Sequence, residues 1–323
     1  MNSSDTTVFS DVIRALLDHE HMFPARYLVN FSDLNQSDFV SLTNIWNDIP
    51  VQRRINLLSD LENLAESDSL TNFDNIARYA LDDTDPNVRV LAIRLLWECD
   101  DLALAERFIT MMQSDPDLQV QAAAASALGS YIYEGELEEI PQSVFDRIVD
   151  AVIEVYLSTP HSEVKRRALE SLGFSSRDVV TEYIMQMYNS RRIEDLASAL
   201  FAMGRSADDQ YKTKVLPHID HSSPLVQLEA VRAAGELELR ESREDLMEML
   251  DSSDLDEEVY YATLWSLSQL GGSGVKDKFE EIMDSDIDDD LADFLENAMD
   301  NLAFNDGLTN FDLFDVEEGE SAE

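Results

Sequence analysis

Apolar positions recur along most of this chain at helical spacing, and the helices themselves recur at nearly fixed intervals. Residues 115–129, DPDLQVQAAAASALG, show the unit: a turn at Asp115 and Pro116, then an apolar stripe through Val120, Ala124, Ala127 and Leu128. That spacing is helical. Proline suits a helix start, where its missing N–H has no intrahelical partner, and a nearby aspartate accepts the orphan N–H groups. Gly129 is expected to end the helix in a left-handed cap.

The same ten-residue core returns as VRVLAIRLLW from Val88, VQAAAASALG from Val120, VKRRALESLG from Val164 and DLASALFAMG from Asp195. It continues as VQLEAVRAAG from Val226, VYYATLWSLS from Val259 and LADFLENAMD from Leu291. The steps between starts are 32, 44, 31, 31, 33 and 32 residues. A first helix precedes each core, for instance at residues 73–81 and 243–250, and a weaker match, VQRRINLLSD, begins at Val51. A period in the low thirties with two helices per unit predicts an all-α chain, a right-handed α-solenoid of about eight helix pairs. Helices stacked at about 8–10 Å would make a body roughly 70–80 Å long.

The V-[RKQ]-x-x-A-x-x-x-L-G core resembles HEAT repeats of the armadillo type, and especially the short bacterial HEAT-like repeats of phycobilin lyases. The resemblance covers roughly residues 37–304. It implies a fold more than a function, because such folds host many functions. The Trp/Gly/Tyr/Pro signature of tetratricopeptide repeats and the T-P-L-H turn of ankyrin repeats are both missing.

Three segments follow from the pattern. Residues 1–36 hold one amphipathic helix (Val8, Val12, Ile13, Leu16, Leu17) and a connector, expected to cap the first repeat. Residues 37–304 form the repeats. Residues 305–323 are acidic and expected to be disordered, with Leu308, Phe311, Leu313 and Phe314 as a short docking segment. The one long step places YIYEGELEEIPQ, near residues 131–142, on a loop after Gly129, where its tyrosines would pack on the neighbouring repeat.

Charge narrows the partners. The formal net charge is −44, and after Lys278 the chain has no Lys or Arg at all. Nucleic acid needs a basic face that displaces counterions, so nucleic acid and anionic membranes are excluded as partners. One reading of the acidity is attraction of a basic protein; the other is salt tolerance or solubility. The only basic island comprises Lys165, Arg166, Arg167, Arg177, Arg191, Arg192, Arg205, Lys212 and Lys214. No apolar run has the length of a membrane span, no signal sequence is seen, and the single cysteine, Cys99, cannot form an intrachain disulfide. A cytoplasmic protein is expected.

Catalytic chemistry is not legible. His19–Glu20 is a lone pair of the kind that HEAT-repeat iron hydroxylases need several times over. His218 and His221 offer two ligands at helical spacing, but read better as helix-end residues. Asp284, Asp286, Asp288 and Asp290 alternate as in a calcium loop, yet the places for Gly and Glu hold Asp289 and Leu295. These acids are expected to form the turn before Leu291. No P-loop or dinucleotide-binding glycine motif is present. No cofactor, metal or catalytic residue is therefore expected, and the chain is read as a non-enzyme.

Two functions remain: a protein-binding scaffold or adaptor, and, from the resemblance, a bilin lyase-like tetrapyrrole-binding protein. For the scaffold the pattern marks a surface. Positions 2, 3 and 7 of each ten-residue core fall outside the apolar stripe. Position 7 reads Arg94, Ser126, Glu170, Phe201, Arg232, Trp265, Asn297. Phe201, Arg232 and Trp265, flanked by Leu228 and Tyr261 at position 3 and Tyr260 at position 2, are the expected partner contacts. Aromatic residues and arginine are enriched in interface hot spots, and Arg232 between two rings would allow cation–π contact.

Overall fold

The computed structural model describes residues 9–97 and 99–318, with residues 306–318 as backbone alone. Among the described residues every regular element is a helix, and no strand occurs. α1 (Phe9–Leu17) precedes eight pairs: α2 (Gln36–Ile45) and α3 (Val51–Ser67), α4 (Asp74–Ala80) and α5 (Pro86–Arg94), α6 (Leu102–Ser114) and α7 (Leu118–Glu136), α8 (Gln142–Ser158) and α9 (Ser162–Leu172). They continue as α10 (Asp178–Tyr188) and α11 (Ile193–Arg205), the short α12 (Lys212–Val215) and α13 (Pro224–Glu236), α14 (Arg243–Met249) and α15 (Glu257–Leu270), α16 (Val275–Met283) and α17 (Asp289–Glu318). The chain divides into two compact units, Met1–Ser171 and Leu172–Glu323.

In the first unit α3 packs on α5 and α5 on α7, while α4 and α6 pack on their own partners, α5 and α7. α1 packs on α2 and buries Val12 and Leu16 completely. In the second unit α11, α13, α15 and α17 stack in sequence, and α10, α14 and α16 pack on α11, α15 and α17. Within each unit these second helices thus touch the second helix of the next repeat. This is α-solenoid packing, as the period predicts.

Small residues set how closely these helices approach. A Cβ added at Gly173 would stand 2.8 Å from the Cα of Ala202, one at Gly204 would stand 2.9 Å from the Cα of Ala233, and one at Gly235 would stand 2.9 Å from the Cα of Ser266. Each glycine is position 10 of its core, and each residue it meets is position 8 of the next. Position 8 serines also reach the other way. Ser266 Oγ donates to the Val231 carbonyl at 2.8 Å, and in the first unit Ser171 Oγ donates to the Ala125 carbonyl at 2.7 Å. Ala124, Ala168 and Ala230, at position 5, are fully buried, as the register requires.

These glycines therefore do not end their helices in left-handed caps. α7 continues through Gly129 to Glu136, and Gly204 and Gly235 lie inside α11 and α13. The left-handed residues come later and are not glycines: Glu138 (φ 60°), Ala207 (φ 50°) and Glu238 (φ 51°). Glu238 N–H donates to the Gly235 carbonyl at 3.0 Å and Leu239 N–H to the Ala234 carbonyl at 2.9 Å. That pair of bonds closes the helix end whatever the side chain. Among the described residues only the turn at Gly271, Gly272 and Gly274 uses glycine for positive φ.

The 131–142 segment is likewise mostly helix rather than loop. Tyr131 is buried, and its hydroxyl donates to the Cys99 carbonyl at 2.9 Å, which is the packing role expected of it. The turn residues are also reassigned. Asp117, not Asp115, caps α7 by accepting from Gln119 N–H, and Pro116 precedes the helix. Pro86 and Pro224 do open their helices. α17 runs on to Glu318. Asn305 Nδ2 donates to the Ser268 carbonyl at 3.2 Å. Residues 319–323 lie outside the described residues.

Buried ions hold the first unit together. The Asp83 carboxylate, without solvent access, accepts from Arg54 Nη1 and Trp46 Nε1, each at 2.6 Å. Arg89 grips Asp115 with two bonds, at 3.0 and 2.7 Å, and donates to the Asp83 carbonyl at 2.8 Å. Gln121 and Gln227, also at position 2, donate to the Asp115 and Ile219 carbonyls at 2.7 and 3.2 Å. In these three repeats position 2 ties a helix to the turn before it, which corrects its reading there as a free surface position.

Asp83→Ala strands the buried Arg54 charge and should cost about 3–5 kcal/mol; an unchanged urea midpoint would contradict the network. Ala207→Gly removes a left-handed strain of about 1–2 kcal/mol, less the entropy that glycine adds to the unfolded chain. The melting temperature should rise by a degree or two, and a fall would contradict the assigned φ.

Candidate protein-binding surface

Stacking decides which side chains remain outside. Position 8 is held against the preceding second helix, and neighbouring residues are turned by about 100°, so position 7 emerges on the open side. Arg94, Ser126, Arg232, Trp265 and Asn297 are exposed, and Glu170 and Phe201 are half-buried. Trp265 keeps 41% of its surface in solvent although it adjoins the fully packed Ser266.

The expected ladder is rearranged. The cation over the Phe201 ring is Arg205, 5.0 Å from its centroid, and the same guanidinium lies 5.6 Å from the Phe174 centroid. Arg205 also pairs with Glu236 at 2.9 Å. Arg232 pairs with Glu229 on its own helix at 3.1 Å instead of bridging two rings. The geometry follows from i, i+4 and i, i+3 adjacency on one helix. Burial raises the Glu236 carboxyl above its ordinary range, and Arg205 and Arg232 offset part of that.

Leu228 is buried, with 6% of its surface exposed, because α13 is flanked by both α11 and α15. It is a core residue and not a partner contact. Tyr260 and Tyr261 are half-buried, with ring centroids 6.2 Å apart. Tyr261 meets Phe294 of α17 edge-on at 4.8 Å, and Trp265 meets Phe294 at 6.3 Å. Phe294 is the residue that the repeat pattern missed. It stands at position 4, one helical turn before position 7, and a phenylalanine there among Asp293 and Glu296 was the available signal.

The other chemical candidates are occupied by structural bonds. His221 Nδ1 accepts from Ser223 N–H at 3.0 Å, and His218 Nε2 lies 3.1 Å from the Tyr188 hydroxyl. Burial, then the neighbouring His221, lowers the His218 pKa. Asp288 accepts from Leu291 N–H at 2.9 Å, the capping role expected in that acidic turn. Cys99 is half-buried, donates to Asp74 at 3.0 Å and accepts from Arg78 at 3.0 Å. Burial and the Asp74 carboxylate raise its thiol pKa, the opposite of what activates a nucleophile. Several cations of the basic island are paired, including Arg167 with Glu170 and Lys212 with Asp209. No described helix is long and apolar enough to cross a membrane.

Comparison with known proteins gives one family. HEAT repeats match residues 76–142 and 213–298. No curated protein matches the chain. Similar solved structures include the complex of CpcE and CpcF of phycocyanin lyase from Nostoc sp. PCC7120, at 18% identity and TM-score 0.48, covering 71% of this chain and 94% of that one. YibA of Escherichia coli aligns at 13% identity and TM-score 0.43 over 88% of this chain and 98% of its own. Human deoxyhypusine hydroxylase aligns at 13% identity and TM-score 0.37 over 92% and 97%.

Proposed function

We propose that this chain, which carries HEAT repeats over residues 76–142 and 213–298, works as a non-enzymatic scaffold or adaptor, binding other proteins through the second-helix face of residues 172–323. One observation carries the reading: the exposed Trp265, with Tyr261 and Phe294 around it, held out on a face whose underlying helices are locked by backbone-close packing. A rigid aromatic anchor loses little conformational freedom on binding, which is why such residues dominate interface energetics. Phe201 and Arg232, at the same repeat position as Trp265, extend the surface across α11 and α13. A partner lying along this face would engage several repeats together. The single cysteine fits a cytoplasmic setting, since no disulfide calls for an oxidising compartment.

The test is capture of partner proteins from the source cell on the immobilised full chain. Trp265→Ala and Arg232→Ala should each weaken retention of a captured protein at least tenfold, with circular dichroism unchanged. Leu70→Ala, at a residue 88% exposed in the first unit, should retain it. Full retention by both surface variants would exclude this face.

A further inference from the structure

The face proposed above carries a more specific feature at its α15–α17 end. Tyr261 and Trp265 lie one turn apart on α15, and Phe294 of α17 closes the gap between them, at 4.8 and 6.3 Å with interplanar angles of 80° and 61°. The three rings form a corner, with ring faces turned in different directions. The rim is acidic. Glu257 precedes Tyr261 by one turn, and Asp288 and Asp290 lie at the start of α17. All three act electrostatically on the Tyr261 hydroxyl, favouring its protonated form, after burial as the larger cause.

Elsewhere several rings carry one of the chain's own cations. Arg205 covers Phe201 and Phe174, Lys165 covers Tyr156, and Lys214 covers Tyr188. Toward the C-terminus the supply runs out. Lys278 is the last basic residue of the sequence, and it is held by Asp251 at 2.5 Å and Glu281 at 3.3 Å. The corner therefore joins the two ingredients of a cation site, ring faces and negative potential, and among the described residues none of the cations seen over rings lies over these three. Ring quadrupoles attract a cation placed over their faces. A guanidinium fits better than an ammonium, being planar, weakly hydrated and able to stack while its N–H groups reach carboxylates.

We propose that the Tyr261–Trp265–Phe294 corner, with Glu257, Asp288 and Asp290 at its rim, binds an arginine side chain displayed by a basic segment of a partner protein. This deepens the scaffold reading and rests on it. Charge complementarity selects the occupant: a chain of net charge −44 repels a second copy of itself, and its own acidic residues 306–323 would bring carboxylates toward carboxylates.

The experiment titrates the full chain with acetylated hexa-arginine amide by calorimetry at about 0.15 M salt, where long-range attraction is screened. Hexa-citrulline, of the same shape without charge, is the control probe. Trp265→Ala and Phe294→Ala, on different helices, should each weaken hexa-arginine binding at least tenfold. So should the rim triple Glu257→Gln, Asp288→Asn, Asp290→Asn, in which the asparagine at 288 still caps α17. The triple Asp146→Asn, Asp150→Asn, Glu154→Gln on α8 removes the same charge elsewhere and should change binding less than threefold. Hexa-citrulline should not bind. Equal losses for the α8 and rim triples would reduce the attraction to diffuse charge and overturn the proposal. So would unchanged binding in both ring variants, or a dimer of the wild-type chain that Trp265→Ala dissolves. If a captured partner still depends on Trp265 while hexa-arginine does not, the scaffold reading stands and the arginine site falls.

Discussion

A methyl group at Gly204 would stand 2.9 Å from the backbone of the next second helix, at Ala233, and the same holds one repeat on, for Gly235 and Ser266. Nothing larger than hydrogen fits at Gly204 and Gly235, and little larger than a methyl group at the residues they meet. Close packing of this kind brings backbones together and leaves no slack for the helices to slide. The register of α11, α13 and α15 depends on it. Ser266, by donating to the Val231 carbonyl, adds a directional bond to a contact that is otherwise steric.

The surface is a consequence of that contact. Once position 8 is fixed against a neighbour, position 7 has only the open side to occupy, and a residue as large as Trp265 remains in solvent beside a buried serine. Folding thus sets out the binding residues without needing them for stability. The first unit reaches order by a different route, through buried charges. Arg54, Trp46 and Asp83 share one carboxylate, and Arg89 spans from Asp115 to the Asp83 carbonyl. Such groups tolerate burial only when each is paired, so they specify how each helix meets its preceding turn.

Much of this was legible in the sequence. The recurrence of Val, Ala, Leu and Gly marked the helix pairs and the buried alanines, because a helix has one period and one buried stripe. What the pattern could not supply was the reason for each glycine. Gly129 reads as a helix end, and the pattern does not separate that role from the close approach made at Gly204 and Gly235, since both call for the same residue. Position 2 misled for a related cause. Arg89, Gln121 and Gln227 look like surface residues, but their donors fold back onto carbonyls of the turn. Leu228 was misplaced because both sides of α13 are covered. Phe294 was missed because it belongs to the ladder through α17, at a position that other repeats fill with smaller or charged residues.

The role of the glycines can be read from the sign of one substitution. In an unobstructed helix, Gly→Ala stabilises by about 1 kcal/mol. Against the Ala233 backbone the added methyl group should instead overpack the interface at a cost of about 1–3 kcal/mol. Thermal melting of Gly204→Ala, with Gly235→Ala as its repeat one step on, measures which effect wins. A clear fall in the midpoint for both variants is the result this account requires. A rise in either would mean that the second helices do not meet where the structure places them.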